Sequence, residues 1–127
     1  MIQSYYDQVT RLLESYATTR VVLHTGLNME TRPGGQGYLS GAITFQDGSV
    51  LFLREYLSVA GTTVQREMYS YHYQDGTQQL RFRYDNALHR PKLGTREHKH
   101  TPEQIIEGVA PSLAEVLHEI VALLGIE

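Results

Sequence analysis

Residues 69–85 read YSYHYQDGTQQLRFRYD and contain the clearest fold signal of the chain, Asp75-Gly76 between two alternating runs. Asp-Gly in that setting is the strongest short-range indication of a β-hairpin. Loops of two or four residues both pair odd-numbered residues of one strand with even-numbered residues of the other, whereas a three-residue loop would break this parity. Because side chains alternate along a strand, the hairpin is predicted to have two chemically distinct faces.

One face of this hairpin is predicted to be aromatic and apolar, and the other polar and cationic. The first face carries Tyr69, Tyr71, Tyr73, Leu80, Phe82 and Tyr84. The second carries Met68, Ser70, His72, Arg81, Arg83 and Asp85. Tyrosine rings can stack on unpaired bases. Here they share a face with leucine and phenylalanine, which favours a place in the core beneath the helices.

An earlier hairpin is predicted where Asp47-Gly48 separates YLSGAITF from VLFLREYLSV. TRVVLHT, further upstream, is typical of a short strand, so an antiparallel meander of five strands is expected. GLNMETRPGGQG, with four glycines and one proline, is predicted to be a loop. Its RPGGQG part fits a flexible lid or a hairpin tip better than a phosphate-binding motif.

Helices are predicted at both ends of the chain. Residues 3–16 place apolar side chains at three- and four-residue steps. In SLAEVLHEIVALLG, Ser112 and Glu115 form a capping box and Gly125 is the C-cap. TPEQIIEG before it is predicted to be a helical turn or two. Both helices packed on one face of the sheet give a two-layer α+β fold, expected to be a single domain over residues 1–127.

Composition and charge narrow the function classes. The chain has no cysteine, which excludes disulfides, thiolate chemistry and sulfur-based zinc sites. No segment has the apolar run of a signal peptide or membrane span, so a cytoplasmic protein is expected. The net charge is −3, yet six of the eleven Lys and Arg lie between Arg81 and His100. Such a local positive patch can hold an anion.

Histidine and arginine occur together on the polar hairpin face and in the segment after it, a combination that suits RNA cleavage. Attack by a 2′-hydroxyl needs a base, an acid and a cation, and histidine serves both proton transfers because its pKa is near neutrality. Arginine matches phosphate oxygens. The candidates are His72, His89, His98, His100, Arg81 and Arg83. The alternative is a solvated polar face beside a polar connector.

A metal site is a second hypothesis. In an extended segment, His98 and His100 point the same way on either side of Lys99 and form a two-ligand arm. A third ligand would come from His89, His72 or Asp85. The intervening lysine disfavours a dication and no spaced motif such as HExxH occurs, so neither a metal nor another cofactor is expected.

Glu55 is placed by strand alternation at the rim of an apolar surface, among three leucines. A carboxylate there is either functional or the salt-bridge partner of Arg66 or Arg83, and the sequence does not decide between these two roles. His24, in a strand, and His118, on a helix, are expected to be structural.

Four short stretches resemble one protein family. They are SYYDQV at Ser4–Val9, YHYQD at Tyr71–Asp75, FRYDNA at Phe82–Ala87 and HKH at His98–His100, and they are similar to the TumE-type toxins of prokaryotic toxin–antitoxin pairs. The resemblance covers nearly the whole chain. It implies a growth-inhibiting ribonuclease toxin that a small helix-turn-helix antitoxin neutralises. It also implies roles for Arg54, Glu55, His72, Arg83, Tyr84, Asp85, His89, His98 and His100.

Residues and resemblance together predict a metal-independent endoribonuclease toxin. His98 or His100 would transfer one proton and His72 or His89 the other. The remaining catalytic candidates are Tyr84, Asp85 and Glu55, and the RNA-binding candidates are Arg54, Arg81, Arg83, Arg90 and Lys99. Two alternatives stay open, a non-catalytic module that binds RNA or an antitoxin, and a metal-dependent hydrolase. Exposed meander edges also make a homodimer or an antitoxin-covered edge an expectation.

Overall fold

The computed structural model describes residues 1–86, 97–108 and 110–125. Over these ranges the chain forms one sheet and two helices. The elements in chain order are α1 (Ile2–Ala17), β1 (Val22–Arg32), β2 (Gln36–Phe45), β3 (Val50–Ala60), β4 (Thr63–Gln74), β5 (Leu80–Asp85), β6 (His98–His100), β7 (Ile105–Glu107) and α2 (Leu113–Leu124).

The sheet of the described residues is an antiparallel meander in the order β1 to β7. The α+β prediction is confirmed, but the sheet has seven strands where five were predicted. The two additional strands are HKH, which pairs with Arg83–Asp85, and β7, which pairs back on HKH. The predicted helical turn in TPEQIIEG is wrong. Its two β-branched isoleucines extend and pair with β6, which outweighs the Thr-Pro helix-start signal.

The predicted loop GLNMETRPGGQG is mostly strand. β1 continues to Arg32 and β2 begins at Gln36, so only Pro33–Gly35 form the turn. Both glycines of that turn adopt positive φ, 79° and 71°, which glycine tolerates without a steric cost. Leu27 and Met29 pack against the core. These two residues alternate with exposed neighbours, which is typical of a strand. The glycines of this stretch had led to the prediction of a loop.

The hairpin of β4 and β5 has the predicted parity from Tyr73 and Phe82 onward, but Leu80, predicted on the aromatic face, lies opposite Gln74. Tyr71 lies opposite Tyr84 and His72 lies opposite Arg83, with a bulge near the turn. All three tyrosines of the YSYHY stretch are buried, so the prediction that they belong to the core is confirmed. The residues between them therefore project from the other side of the sheet.

Both helices pack on one face of the sheet and share a single core with it. The helix predicted at residues 3–16 is α1, longer by one residue at each end. The predicted capping box of α2 is present, and Gly125 caps its C-terminus at φ 70°. The opposite face of the sheet is not covered by either helix. We call it the open face; it carries Arg54 on β3, His72 on β4, Arg83 on β5 and His100 on β6.

Candidate active site

A row of three polar side chains crosses neighbouring strands of the open face. His72 on β4 lies opposite Arg83 on β5, and Arg83 lies opposite His100 on β6. The next row of the same face consists of Arg54, Ser70, Asp85 and His98. The HKH segment thus returns to the sheet edge and adds two imidazoles to the face that already carries His72.

Asp85 is the electrostatic centre of these two rows. Its Oδ2 lies 3.0 Å from Arg83 Nε and 3.4 Å from His100 Nε2, and its Oδ1 lies 3.9 Å from His98 Nδ1. The Asp85 side chain is only 5% exposed. Because a buried carboxylate is costly without an opposite charge, the Arg83 guanidinium is held close to it. Asp85 thereby orients Arg83 and faces both rings.

His98 and His100 differ in their access to solvent. The His98 side chain is 1% exposed, whereas that of His100 is 20% exposed. The sequence could not distinguish the two, because both point to the same face. His100 is therefore partly open to solvent, although its Nε2, which faces Asp85, is buried, while His98 lies beneath the surface beside Asp85.

His72 occupies the other end of the three-residue row. Burial lowers its pKa below the ordinary value of histidine, and the positive charge of Arg83 lowers it further, against a smaller raising effect of a hydrogen bond with Gln74. The ring is therefore mostly neutral at pH 7 and can accept a proton. Its centroid lies 6.2 Å from that of Phe52, so an exposed aromatic ring flanks it.

Two adjoining pockets open on this face, and both are lined by Arg54, Ser70 and Arg83. The first extends toward His72 and Phe52 and has a cavity volume of about 380 Å³. The second extends toward Asp85 and the side chains of Tyr56 and Met68, with about 90 Å³. Two arginines and a neutral imidazole thus line these two neighbouring pockets.

Three predicted site residues, Lys99, Tyr84 and Glu55, face the helices. Lys99 alternates with its two histidine neighbours, so its Nζ points to the helical side and lies 2.8 Å from Glu119 Oε2 on α2. The Tyr84 hydroxyl donates to the other oxygen of Glu119 at 2.5 Å. The structure therefore places Lys99 and Tyr84 on the side of the sheet opposite the His72–Arg83–His100 row.

Glu55 does not lie at a rim, because its side chain is fully buried on the helical side. The hydroxyls of Tyr5 and Tyr71 both donate to its carboxylate. Arg66, one of its two predicted partners, donates to the Tyr71 hydroxyl at 2.7 Å and to the Pro111 carbonyl at 2.6 Å. Burial raises the pKa of both tyrosines, which keeps their hydroxyls protonated as donors.

The remaining predicted residues are placed as follows. Arg81 is exposed near the hairpin turn, two residues before Arg83. His89 and Arg90 lie outside the described residues. His24 and His118 are exposed, on β1 and α2. Among residues 1–86, 97–108 and 110–125, no three His, Asp or Glu side chains are grouped to hold a metal ion.

Sequence reasoning missed three residues of the open face, Phe52, Tyr56 and Ser70. Phe52 lies two positions before Arg54 and Tyr56 two positions after it. Strand alternation could therefore have placed these two rings on the same face as Arg54. The run of apolar residues at the start of β3 concealed that alternation. Ser70 was placed on the polar face but given no role.

Comparison with known proteins agrees with the resemblance found in the sequence. No curated protein and no solved structure matches this chain. In the part of the chain that is described, neither helix has the length and apolarity needed to cross a membrane. The family described as Toxin TumE matches residues 9–124, nearly the whole chain and both rows of the site. This chain is therefore a member of the TumE toxin family.

Proposed function

We propose that this toxin is an endoribonuclease that cleaves RNA by metal-independent acid–base chemistry on its open face. The observation that supports the proposal is the row in which Arg83 stands between a neutral His72 and a partly exposed His100. Adjacent strands are about 4.8 Å apart, so the two histidine backbones are separated by roughly 10 Å. A phosphate bound at Arg83 would have one imidazole on each side.

That arrangement suits in-line cleavage by the neighbouring ribose hydroxyl. His72 accepts the 2′-hydroxyl proton as the 2′-oxygen bonds to phosphorus, and His100, in its protonated form, donates a proton to the departing 5′-oxygen. The products are a 2′,3′-cyclic phosphate and a 5′-hydroxyl. Arg83 stabilises the charge that develops on the phosphate oxygens between the two rings.

The second row supports this chemistry. Asp85 orients Arg83 and His100, and it forms an ion pair with the imidazole when that ring carries its proton. Arg54, which lines both pockets with Arg83, would bind an adjacent phosphate. His98, buried beside Asp85, acts as a positioning residue. Lys99, Tyr84 and Glu55 would support the fold of the site from the helical side.

Family membership extends the proposal to a biological setting. A ribonuclease toxin of a toxin–antitoxin pair would act in the cytoplasm, where a cognate antitoxin, expected to be a small helix-turn-helix protein, neutralises it. The outer edges of β1 and β7 end the sheet of the described residues. Either edge offers backbone groups to an antitoxin or to a second copy of the chain.

Growth of a host that lacks the antitoxin tests the proposal. Expression of the wild type should arrest growth, and His100→Ala should abolish the arrest at equal protein level. His98→Ala/His100→Ala removes both imidazoles of β6 and should be equally inactive. His24→Ala, which removes an exposed histidine on β1, is the matched control and should remain toxic. Undiminished toxicity of His100→Ala would contradict the assignment.

Assays on purified protein distinguish the proposed mechanism from the two alternative functions. Binding of RNA without cleavage under any metal condition would identify a non-catalytic module. Cleavage that a chelator removes and one divalent metal restores would identify a metal-dependent hydrolase. The proposed mechanism predicts cleavage that the chelator leaves unchanged.

A further inference from the structure

We infer that the open face carries a base-stacking subsite, formed by Tyr38, Tyr56, Met68 and Arg32, for an unpaired nucleobase of single-stranded RNA. The inference rests on the proposed ribonuclease function and specifies its substrate class. We call these four residues the stacking platform. It lies one row beyond Arg54 and Asp85, on the same side of the sheet as His72.

The rings of the platform are held together and remain accessible. Tyr56 on β3 lies between Tyr38 on β2 and Met68 on β4. The two ring centroids are 4.6 Å apart at an interplanar angle of 41°. Tyr56 is 40% exposed and Met68 is 50% exposed. Large apolar side chains exposed next to one another are characteristic of a binding surface.

Charge identifies the class of ligand that this surface fits. The Arg32 guanidinium carbon lies 5.4 Å from the Tyr38 ring centroid and 5.6 Å from the Tyr56 ring centroid. The Nη2 of Arg32 forms an ion pair with Glu30 Oε2 at 3.1 Å. Arg54 stands on the other side of Tyr56, one row closer to Arg83. Aromatic rings between arginines match a strand in which bases alternate with phosphates.

The platform and the cleavage row share one pocket. The pocket of about 90 Å³ is lined by Tyr56 and Met68 at one end and by Arg83 and Asp85 at the other. A base on Tyr56 would therefore belong to a nucleotide close to the phosphate at Arg83. Because these residues line one pocket, the proposed recognition and the proposed cleavage would take place on the same RNA strand.

A side-chain amide fixes the backbone that presents Met68. Asn86 follows β5 and accepts a hydrogen bond from the Tyr69 backbone N–H at 3.0 Å. Its amide nitrogen donates to the Glu67 carbonyl at 3.1 Å. These two bonds stabilise the register shift of β4, where two successive residues, Glu67 and Met68, are both exposed. Met68 therefore remains beside Tyr56 rather than turning into the core.

Single-stranded RNA is favoured over duplex RNA because a stacking platform needs a free base face. In an A-form duplex the bases stack on each other and the protein contacts mainly ribose and phosphate. The open face offers rings that lie along a broad sheet surface. A splayed base can lie on them while its phosphate contacts arginine.

Binding of a short, fully 2′-O-methylated RNA oligomer, measured by fluorescence anisotropy, tests the subsite. This probe has no free 2′-hydroxyl, so binding is measured without cleavage. Tyr56→Ala should weaken binding of the single strand about tenfold, as expected for loss of one stacked base. Tyr56→Phe should bind like the wild type. Binding of the annealed duplex should be weaker than that of the single strand and unchanged by either substitution.

Tyr56→Thr removes the ring but keeps a residue suited to a strand, and should reproduce the Tyr56→Ala result if the latter folds poorly. Leu23→Ala, at an exposed apolar residue of β1, is the matched control. Equal single-strand affinity of the wild type and folded Tyr56→Ala or Tyr56→Thr would overturn the inference. So would a loss of self-association without a loss of RNA binding, which would assign the platform to a second copy of the chain.

The cleavage assay distinguishes failure of the subsite from failure of the proposed function. Tyr56-dependent binding without cleavage would retain the platform and reject the ribonuclease. Cleavage at the wild-type rate by Tyr56→Ala would retain the ribonuclease and reject the platform.

Discussion

At the scale of single residues, Asp85 governs the polar chemistry of the open face. With 5% of its side chain exposed, it depends on Arg83 at 3.0 Å for an opposite charge. The same guanidinium lies directly opposite His72 on the neighbouring strand. Its charge lowers the pKa of His72, in addition to the larger effect of burial. One arginine therefore pairs with a buried carboxylate and adds to the effect of burial in favouring a neutral imidazole beside it.

Arg83→Gln is expected to move the acidic limb of the cleavage pH profile to higher pH. The removal of the positive charge lets the pKa of His72 rise, so a higher pH is needed to deprotonate the general base. Because burial remains, the limb should stay below the ordinary pKa of histidine. The measurement is kcat/KM for a short RNA against pH, with His24→Gln as the control. An unchanged limb, or one moved to lower pH, would refute the role of His72.

Which of these residues lie together could be predicted only in part from the sequence. Strand alternation predicts that His72 and Arg83 share a face if the loop has two or four residues. The structure confirms the shared face, although the loop of residues 75–79 is odd in length and a bulge beside it restores the parity. The same rule places Lys99 opposite its histidine neighbours, once HKH is recognised as a strand. The contacts of Asp85 with His98 and His100 were not predictable, because they depend on the pairing of residues separated by a long connector. The burial of Glu55 was equally hidden, since the hydroxyls that satisfy it lie on distant elements.

At the scale of secondary-structure elements, one buried network fastens the helical layer to the sheet. Tyr5 on α1 and Tyr71 on β4 both donate to the Glu55 carboxylate on β3. Arg66 connects Tyr71 to the carbonyl of Pro111, just before α2. The same strands carry the candidate active site on their other face. The network therefore stabilises the sheet that positions the His72–Arg83–His100 row.

Tyr5→Phe is expected to lower the free energy of unfolding by about 1–3 kcal/mol. It removes a hydrogen bond to a buried carboxylate while leaving the ring in place. Urea denaturation monitored by circular dichroism measures the change. Tyr16→Phe, on the same helix and packed against the same core, is the control and should change stability little. Equal stability of Tyr5→Phe and the wild type would show that the hydrogen bond contributes nothing net.

At the scale of the whole molecule, the two faces of the sheet have separate tasks. The helical face holds the core and the Glu55 network, and the open face holds arginine, histidine and exposed aromatic side chains. Arg32, Arg54 and Arg83 lie on the open face, where Glu30 and Asp85 pair with the first and the last of them, whereas Arg66 and Lys99 lie on the helical side. On the proposed function, the three open-face arginines would contact RNA phosphates although the chain has a net charge of −3.

Arg54→Gln is expected to reduce the salt dependence of RNA binding. Each phosphate contact to a single strand contributes about −0.7 to the slope of log K against log salt concentration. Loss of one contact should therefore make the slope shallower by about 0.7. Arg11→Gln removes an exposed arginine on α1 and should leave the slope unchanged. Equal slopes for Arg54→Gln and the wild type would place the RNA elsewhere on the molecule.

The most direct test of the central claim is the cleavage rate of a defined RNA by purified protein in the presence of a chelator, with analysis of the product ends. The wild type and His24→Ala should cleave alike and leave 2′,3′-cyclic phosphate and 5′-hydroxyl ends. His100→Ala should be slower by about 10²-fold or more, as expected for loss of a general acid or base. Wild-type cleavage by His100→Ala, or product ends without a cyclic phosphate, would contradict the account.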